Sequence, residues 1–379
     1  MAAGNIDLSD IRVKTQPHQP ILERLSHATL IHLVQSISEL KHWYESKYHH
    51  HENEPNLLKT YPCRPTLPIR IFFPPGYDPK DTQTRYPTVF NTHGGGFCLG
   101  HASDDDGWNT RFARMFNVLV IGLNYRLAPA HPFPTALYDV EALSLAAFAD
   151  ATLPIDKSRV AFAGGSAGAN LSMGLCQLPS IRETVRPQAV IPIWGWLDLT
   201  IPQEVKLTTR RWKPSLSKGF RNAGYDMLTW FYPKFVWSYV DGGFDLSNPL
   251  VSAVFAPREH LPPHIFFVSA ELDQLAHEAW CMASRLAGRP EPTLLDKEGQ
   301  DEVTAEKGKL ILDDEQFTWQ HVSEDGKSSV GWLLVPDQVH GFDALPPGWH
   351  DKESQEDADM KAVEYQKVLG HWLLNTVWK

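Results

Sequence analysis

The chain carries little that would tie it to a membrane, to nucleic acid or to an oxidising compartment. It has only four cysteines in 379 residues, Cys63, Cys98, Cys176 and Cys281, all far apart. Such spacing offers neither a disulfide framework nor a zinc-ligand pattern, and predicts free thiols in a reducing, cytoplasmic setting with no bound metal. Positive charge is also short: 35 Lys and Arg stand against 45 Asp and Glu, for a formal net charge of -10. That balance argues against a nucleic-acid partner and gives anionic lipid no basic face to meet. No apolar run approaches the ~20 residues of a membrane span. Residues Met1–Pro20 lack the apolar stretch and small-residue cleavage site of a secretory signal, so none is expected. There is no internal repeat and no low-complexity tract.

What remains is the composition of a globular protein, 42% hydrophobic and 21% charged. Its length allows one large domain or two ordinary ones around a sizeable core. Apolar runs predict strands at Ile69–Phe73, Thr88–Thr92, Val118–Leu123, Arg159–Ala163, Ala189–Trp194, His264–Ser269 and Gly331–Val335. Helical patterns lie near Asp105–Met115, Thr135–Ala149, Ala167–Leu178, Leu275–Leu286 and Ser354–Val377. Alternation of this kind predicts an α/β fold with a mostly parallel sheet flanked by helices. Several strands are apolar nearly throughout, as strands covered on both faces should be.

Three segments break the rhythm. Residues Pro20–Tyr48 read as one or two amphipathic helices, within an N-terminal segment taken as 1–68. Residues 201–244 are dense in aromatic side chains and fit either plain core or a cap with an apolar pocket beneath. They separate 69–200 from 245–379, the two parts of the core domain. Residues 290–327 are charged, and Glu324-Asp325-Gly326 reads as the turn of a surface β-hairpin. A solvated excursion at the sheet end opposite the strand C-termini is expected there. The His49-His50-His51 run sits among polar neighbours and reads as a solvated helix end. Asn170-Leu171-Ser172 matches a glycosylation acceptor by chance, inside a predicted helix.

The chemistry centres on Gly164-Gly165-Ser166-Ala167-Gly168, directly behind the strand Arg159–Ala163. Small residues let the chain turn sharply from strand to helix and expose the serine hydroxyl. Those five residues alone also fit a structural glycine turn. A serine nucleophile needs a base, and the base an orienting carboxylate. Glu271-Leu272-Asp273 follows the strand His264–Ser269, and Val339-His340-Gly341-Phe342 follows Gly331–Val335. Asp273 stands further past its strand end than Glu271 and is preferred as the acid. The run His93-Gly94-Gly95-Gly96 can present backbone N–H groups without Cβ interference, joined by the N–H of Ala167. A phosphate-binding loop is the rival reading, but no Gly-Lys-Ser/Thr accompanies the glycines.

Taken in order, His93–Gly96, Asn124-Tyr125-Arg126-Leu127-Ala128-Pro129, Phe133-Pro134, Gly164–Gly168 with Asn170, Leu197-Asp198-Leu199-Thr200 and His340-Gly341-Phe342 form a joint pattern. It resembles the hormone-sensitive-lipase-like branch of the α/β-hydrolase fold, which includes many carboxylesterases. The resemblance covers most of the chain from Ile69 to Lys379. It implies an eight-stranded sheet with one antiparallel member, and a cap built from the N-terminal helices and residues near 201–244. It also implies Ser166 as nucleophile, His340 as base, Asp273 as acid, and Gly95, Gly96 and Ala167 as the oxyanion hole. No cofactor is implied, and the partner is a small, fairly apolar ester. Self-association stays open. This chain departs from the branch in having Gly165 before the serine, Asp273-Gln274-Leu275 at the acid, and a longer span from Asp273 to His340. Formamide or lactone hydrolysis, acyl transfer and dehydration remain alternatives at the same site. A non-catalytic small-molecule receptor is a further alternative, disfavoured because His340 is present.

Overall fold

The structure is a computed structural model that describes residues 11–48, 52–303, 306–345, 348 and 351–379. The histidine run at 49–51 lies outside the described residues. Nine strands form one sheet: β1 Leu57–Tyr61, β2 Arg64–Phe72, β3 Tyr86–Thr92, β4 Leu119–Leu123, β5 Ile155–Gly165, β6 Ala189–Ile193, β7 His264–Leu272, β8 Thr318–Val322 and β9 Ser329–Val339. Their spatial order is β1-β2-β4-β3-β5-β6-β7-β9-β8. The run from β4 to β9 is parallel throughout, while β1–β2, β2–β4 and β8–β9 pair antiparallel.

Parallel strands must be joined by crossovers, and here the crossovers are helices on both faces. They are α2 Asp106–Phe116, α3 Thr135–Ala149, α4 Ala167–Gln177, α5 Pro179–Thr184 and α8 Ala276–Leu286, and the helix after the last strand, α9 Lys352–Trp372, packs on the sheet as well. Side chains along a strand therefore alternate between two apolar cores. Phe90 and Phe162 enter one, with ring centroids 5.3 Å apart, while Val89, Ala161 and Ala163 enter the other. Each large apolar side chain buried this way contributes about 1.5–3 kcal/mol. No helix among the described residues is long and apolar enough to cross a membrane.

The sheet has one strand more than the resemblance implied. The ninth is β8, which residues 290–327 add at the edge. That segment is not a self-contained hairpin: β8 pairs with β9 itself, Thr318 opposite Leu333 and Val322 opposite Ser329. Ser329 also pairs with His264, the first residue of β7, so the β8–β9 turn does lie at the far end of the sheet. Residues 297–301, however, come back to the other end. Gln300 N donates to Glu271 Oε1 at 2.8 Å, and Glu298 is only 1% exposed. The expectation of a wholly solvated, distal excursion is corrected accordingly. The physical reason is Gly299, whose φ of +74° and missing Cβ let the chain press against the Glu271 side chain.

The N-terminal pattern forms one helix, α1 Ile21–Tyr48. It is apolar on two sides. Ile31 is buried against the body, whereas Leu22, Leu25, Leu33, Ile37 and Leu40 are exposed. Residues 201–244 hold two short helices, α6 Gln203–Thr209 and α7 Tyr232–Tyr239. Gln35 of α1 donates to the carbonyl oxygens of Cys98 and Ala128, and Phe97 stacks on Tyr239 of α7 at 3.6 Å. Both helices thus pack on the loop that follows β3.

Candidate active site

Strand β5 delivers Ser166, and α4 begins one residue later. Ser166 has φ 54° and ψ −117°, a backbone state that costs a non-glycine residue energy and that the surroundings must enforce. The enforcement comes from close packing. A Cβ on Gly168 would overlap the carbonyl oxygen of Thr92, and one on Gly164 would overlap the backbone of Gly168. Only glycine lets α4 press this closely on the end of β3. Ser166 N donates to the carbonyl of Ile193 at 2.9 Å, which fixes the turn against β6. Asn170 is buried in α4, with Nδ2 donating to the carbonyls of Trp196 and Val251. It is a structural tie rather than an exposed acceptor for sugar.

The three residues predicted to act together are hydrogen-bonded in a chain. His340 Nε2 stands 2.9 Å from Ser166 Oγ, and His340 Nδ1 stands 2.7 Å from Asp273 Oδ2. These side chains are separated by 174 and 67 residues in sequence. Asp273 also accepts from Leu275 N through Oδ1 at 2.9 Å, so the second oxygen is held while the first faces the imidazole. Burial alone would lower the pKa of His340. The Asp273 carboxylate outweighs it and holds the imidazole above its ordinary value.

Glu271, the competing acid, is engaged elsewhere. Its Oε2 accepts from Lys213 Nζ at 2.7 Å and from Asp337 N at 2.8 Å, and its Oε1 accepts from Gln300 N. Burial pushes its carboxyl up, against the pull of Lys213.

The loop after β3 brings Gly94 to the same place. A Cβ there would stand 3.1 Å from the Gly165 carbonyl oxygen and 3.4 Å from Ser166 Cβ. Gly95 and Gly96 have φ of +107° and +60°. A Cβ on Gly96 would overlap the Phe235 ring of α7, so glycine is required by conformation and by contact. Ala167 is the first residue of α4, where a helical N–H has no acceptor within its own helix. Tyr125 braces the loop, its hydroxyl donating to the carbonyls of His93 and Gly94 at 3.1 Å each. Its ring stacks on His93 with centroids 4.1 Å apart.

Several buried charges near these residues escaped sequence reasoning. Asp226 lies close enough to His340 and Asp273 to feel both charges, and it pairs with Arg210. Asp343, which the charge of His340 reaches, and its neighbour Asp105 are half-buried. Burial raises them to about 6 and about 8. Glu298 is likewise raised to about 8 by burial, and neither carboxylate oxygen has a hydrogen-bond partner among the described residues. Three cations within four residues, Arg210-Arg211-Trp212-Lys213, were the one available signal.

Comparison with known proteins places this geometry in context. Residues 89–300 match the family described as the alpha/beta hydrolase fold. Carboxylesterase NlhH of Mycobacterium tuberculosis is 30% identical over 230 residues, which cover 58% of this chain and 65% of that protein. The arylesterase of Saccharolobus solfataricus is 29% identical over 229 residues, covering 60% of this chain and 69% of its own. The chain thus spans just under two thirds of the length of the first of these relatives. Among solved structures, the Pyrobaculum calidifontis esterase superposes with a TM-score of 0.62 at 22% identity, over 95% of this chain and 99% of that one. That likeness is one of fold.

Proposed function

The chain belongs to the α/β-hydrolase fold family, and from that premise we propose that it is a serine carboxylesterase acting on a small, fairly apolar ester. The observation that carries the proposal is the unbroken chain from Ser166 Oγ through His340 to Asp273 at 2.9 and 2.7 Å. Similarity to a carboxylesterase and an arylesterase supports the same reading.

In this mechanism Ser166 Oγ attacks the ester carbonyl carbon while His340 Nε2 takes its proton. Asp273 keeps the other imidazole proton on Nδ1, so that Nε2 is the acceptor, and stabilises the imidazolium that forms. The N–H groups of Gly95, Gly96 and Ala167 receive the developing oxyanion. His340 then returns the proton to the leaving alcohol. In the second half it deprotonates water, which attacks the acyl-enzyme, and it returns that proton to Ser166 Oγ as the acid leaves. No metal or cofactor takes part.

We take α1 and residues 201–244 as the cap. Phe235 against Gly96, and Tyr239 stacked on Phe97, set apolar rings beside the oxyanion loop. Rings there favour an apolar group on the substrate. The test is a panel of p-nitrophenyl esters of increasing acyl length, beside aryl formamides and lactones, with fluorophosphonate labelling of Ser166. Turnover of esters with labelling at Ser166 is expected. A folded protein that neither hydrolyses any ester nor takes the label would overturn the proposal.

A further inference from the structure

The run Arg210-Arg211-Trp212-Lys213 has no role in the chemistry above, yet all three cations turn inward. Each reaches a different part of the wall behind Asp273 and His340. Arg210 Nε donates to Asp226 Oδ2 at 2.6 Å, and Asp226 Oδ1 accepts from the side chain of Gln274, the residue after Asp273, at 3.0 Å. Arg211 donates to the carbonyls of Lys297, Glu298 and Gly299 and pairs with Asp301. Lys213 is completely buried and bonds two carboxylates with one ammonium, Glu271 Oε2 and Asp337 Oδ1, each at 2.7 Å.

The position of that bridge matters. Strands β7 and β9 pair regularly from His264↔Ser329 to Ala270↔Val335, and the next pair is Leu272↔Val339. One residue of β7, Glu271, thus stands against three of β9, Pro336-Asp337-Gln338, and the ladder is broken there. Asp337 there takes φ 57°, an uncommon backbone state for a residue with a side chain. Just beyond the break lie Asp273, two residues after Glu271, and His340, three residues after Asp337. Where backbone pairing fails, Lys213 and the Asp337 N–H to Glu271 bond join the two strands instead.

We propose that Lys213 is a positioning residue that keys the cap to the acid and base loops, so that the Asp273–His340 bond is held only while this part of the cap is seated. The inference rests on the hydrolase reading of the site. Without the ammonium, Glu271 and Asp337 would be two buried carboxyls facing each other; whether one takes up a proton or the two move apart, the tie is lost and the ends of β7 and β9 are free to part. Parting them draws Asp273 from His340. Lys213 does not act on the ester itself, so the loss falls on the chemical step rather than on binding.

The experiment compares wild type, Lys213→Met and the near-isosteric Glu271→Gln. Each is measured for kcat and KM on one p-nitrophenyl ester, for the rate of fluorophosphonate labelling per folded molecule, and for the pH midpoint of kcat/KM. A ~10–100-fold fall in kcat is expected for Lys213→Met, the order that a displacement of about 1 Å at a reacting group produces, with KM within about threefold. Glu271→Gln should show a smaller fall of the same kind, and it keeps the test alive if Lys213→Met fails to fold. In both, the labelling rate should drop and the pH midpoint should move down, as the pull of Asp273 on His340 weakens. Folded variants with lowered Tm but unchanged kcat, labelling rate and midpoint would overturn the inference, as would a raised KM at unchanged kcat. Wild-type protein that takes no label at Ser166 would instead overturn the hydrolase reading on which it stands.

Discussion

Asp273 and His340 meet at 2.7 Å inside the fold, and the carboxylate holds the imidazole above the ordinary histidine value of about 6.5 even though burial pulls the other way. Attraction has won over desolvation at this pair. An imidazole in this state is held in one orientation and is a stronger base than a free one.

Activity should therefore rise with pH along a single limb whose midpoint lies above ~6.5, because the base must be neutral to take a proton. Asp273→Asn should move that midpoint down and lower kcat by up to ~10⁴-fold through the wrong tautomer. A pH series of kcat/KM on both proteins checks this. The linkage has a second consequence. A raised folded pKa means that protonated His340 stabilises the fold fully below ~6.5, and that this contribution is lost as pH rises through the folded value. The Tm difference between wild type and His340→Ala should shrink over the interval in which activity appears.

Replacing Ser166 with Ala should lower kcat/KM on an activated ester by at least ~10³-fold and abolish fluorophosphonate labelling, with circular dichroism unchanged. Retained turnover in clean, folded protein would remove Ser166 from the mechanism.

Glu298 is expected to weaken the native state at neutral pH. Its folded pKa of about 8 lies above the ordinary glutamate value, so between roughly pH 4.5 and 8 the folded chain holds a proton that the unfolded chain has released. Stability is lost across that window as pH rises. Glu298→Gln mimics the protonated form, so its Tm advantage should be near zero at pH 4 and grow up to about pH 8. Scanning calorimetry at several pH values decides the matter, and an advantage that is flat with pH would count against it.

Gly96→Ala asks for φ +60° from a residue with a side chain and drives its Cβ into the Phe235 ring. Overpacking of this kind costs about 1–3 kcal/mol. Because the strain falls on a proposed oxyanion donor and on α7 together, kcat should fall and KM rise. Steady-state kinetics together with the melting temperature test this. A change in Tm alone would take Gly96 out of the oxyanion site.

Some of this was legible in the sequence because the signal is local. The elbow at Gly164–Gly168 lies within one strand–turn–helix unit, and the spacing of five residues reveals it even though Gly168 is also required by its contact with Thr92 of β3. The order of Ser166, Asp273 and His340 follows from the ends of three strands, β5, β7 and β9, which apolar runs mark well. Strand β8 was harder to read, since Thr318–Val322 alternates weakly and three of its five residues are exposed. Lys213 could not be read at all. Its partners lie 58 and 124 residues away, and nothing in a run of cations says that they turn inward. Residues 297–301 misled for a related reason. Glu298, Asp301 and Glu302 look like solvated charge, yet Glu298 is enclosed by contacts from the cap and from β7.

The turn between β8 and β9, at Ser323–Ser328, lies at one end of the eleven residues of β9, and His340 follows the other. At about 3.3 Å per residue the two are separated by roughly 35 Å. A single cysteine placed at Glu324 would therefore be a point of attachment to a bead or electrode that leaves the mouth of the site facing solution. Cys63 is the one exposed thiol among the described cysteines, so Cys63→Ser would make that immobilisation specific.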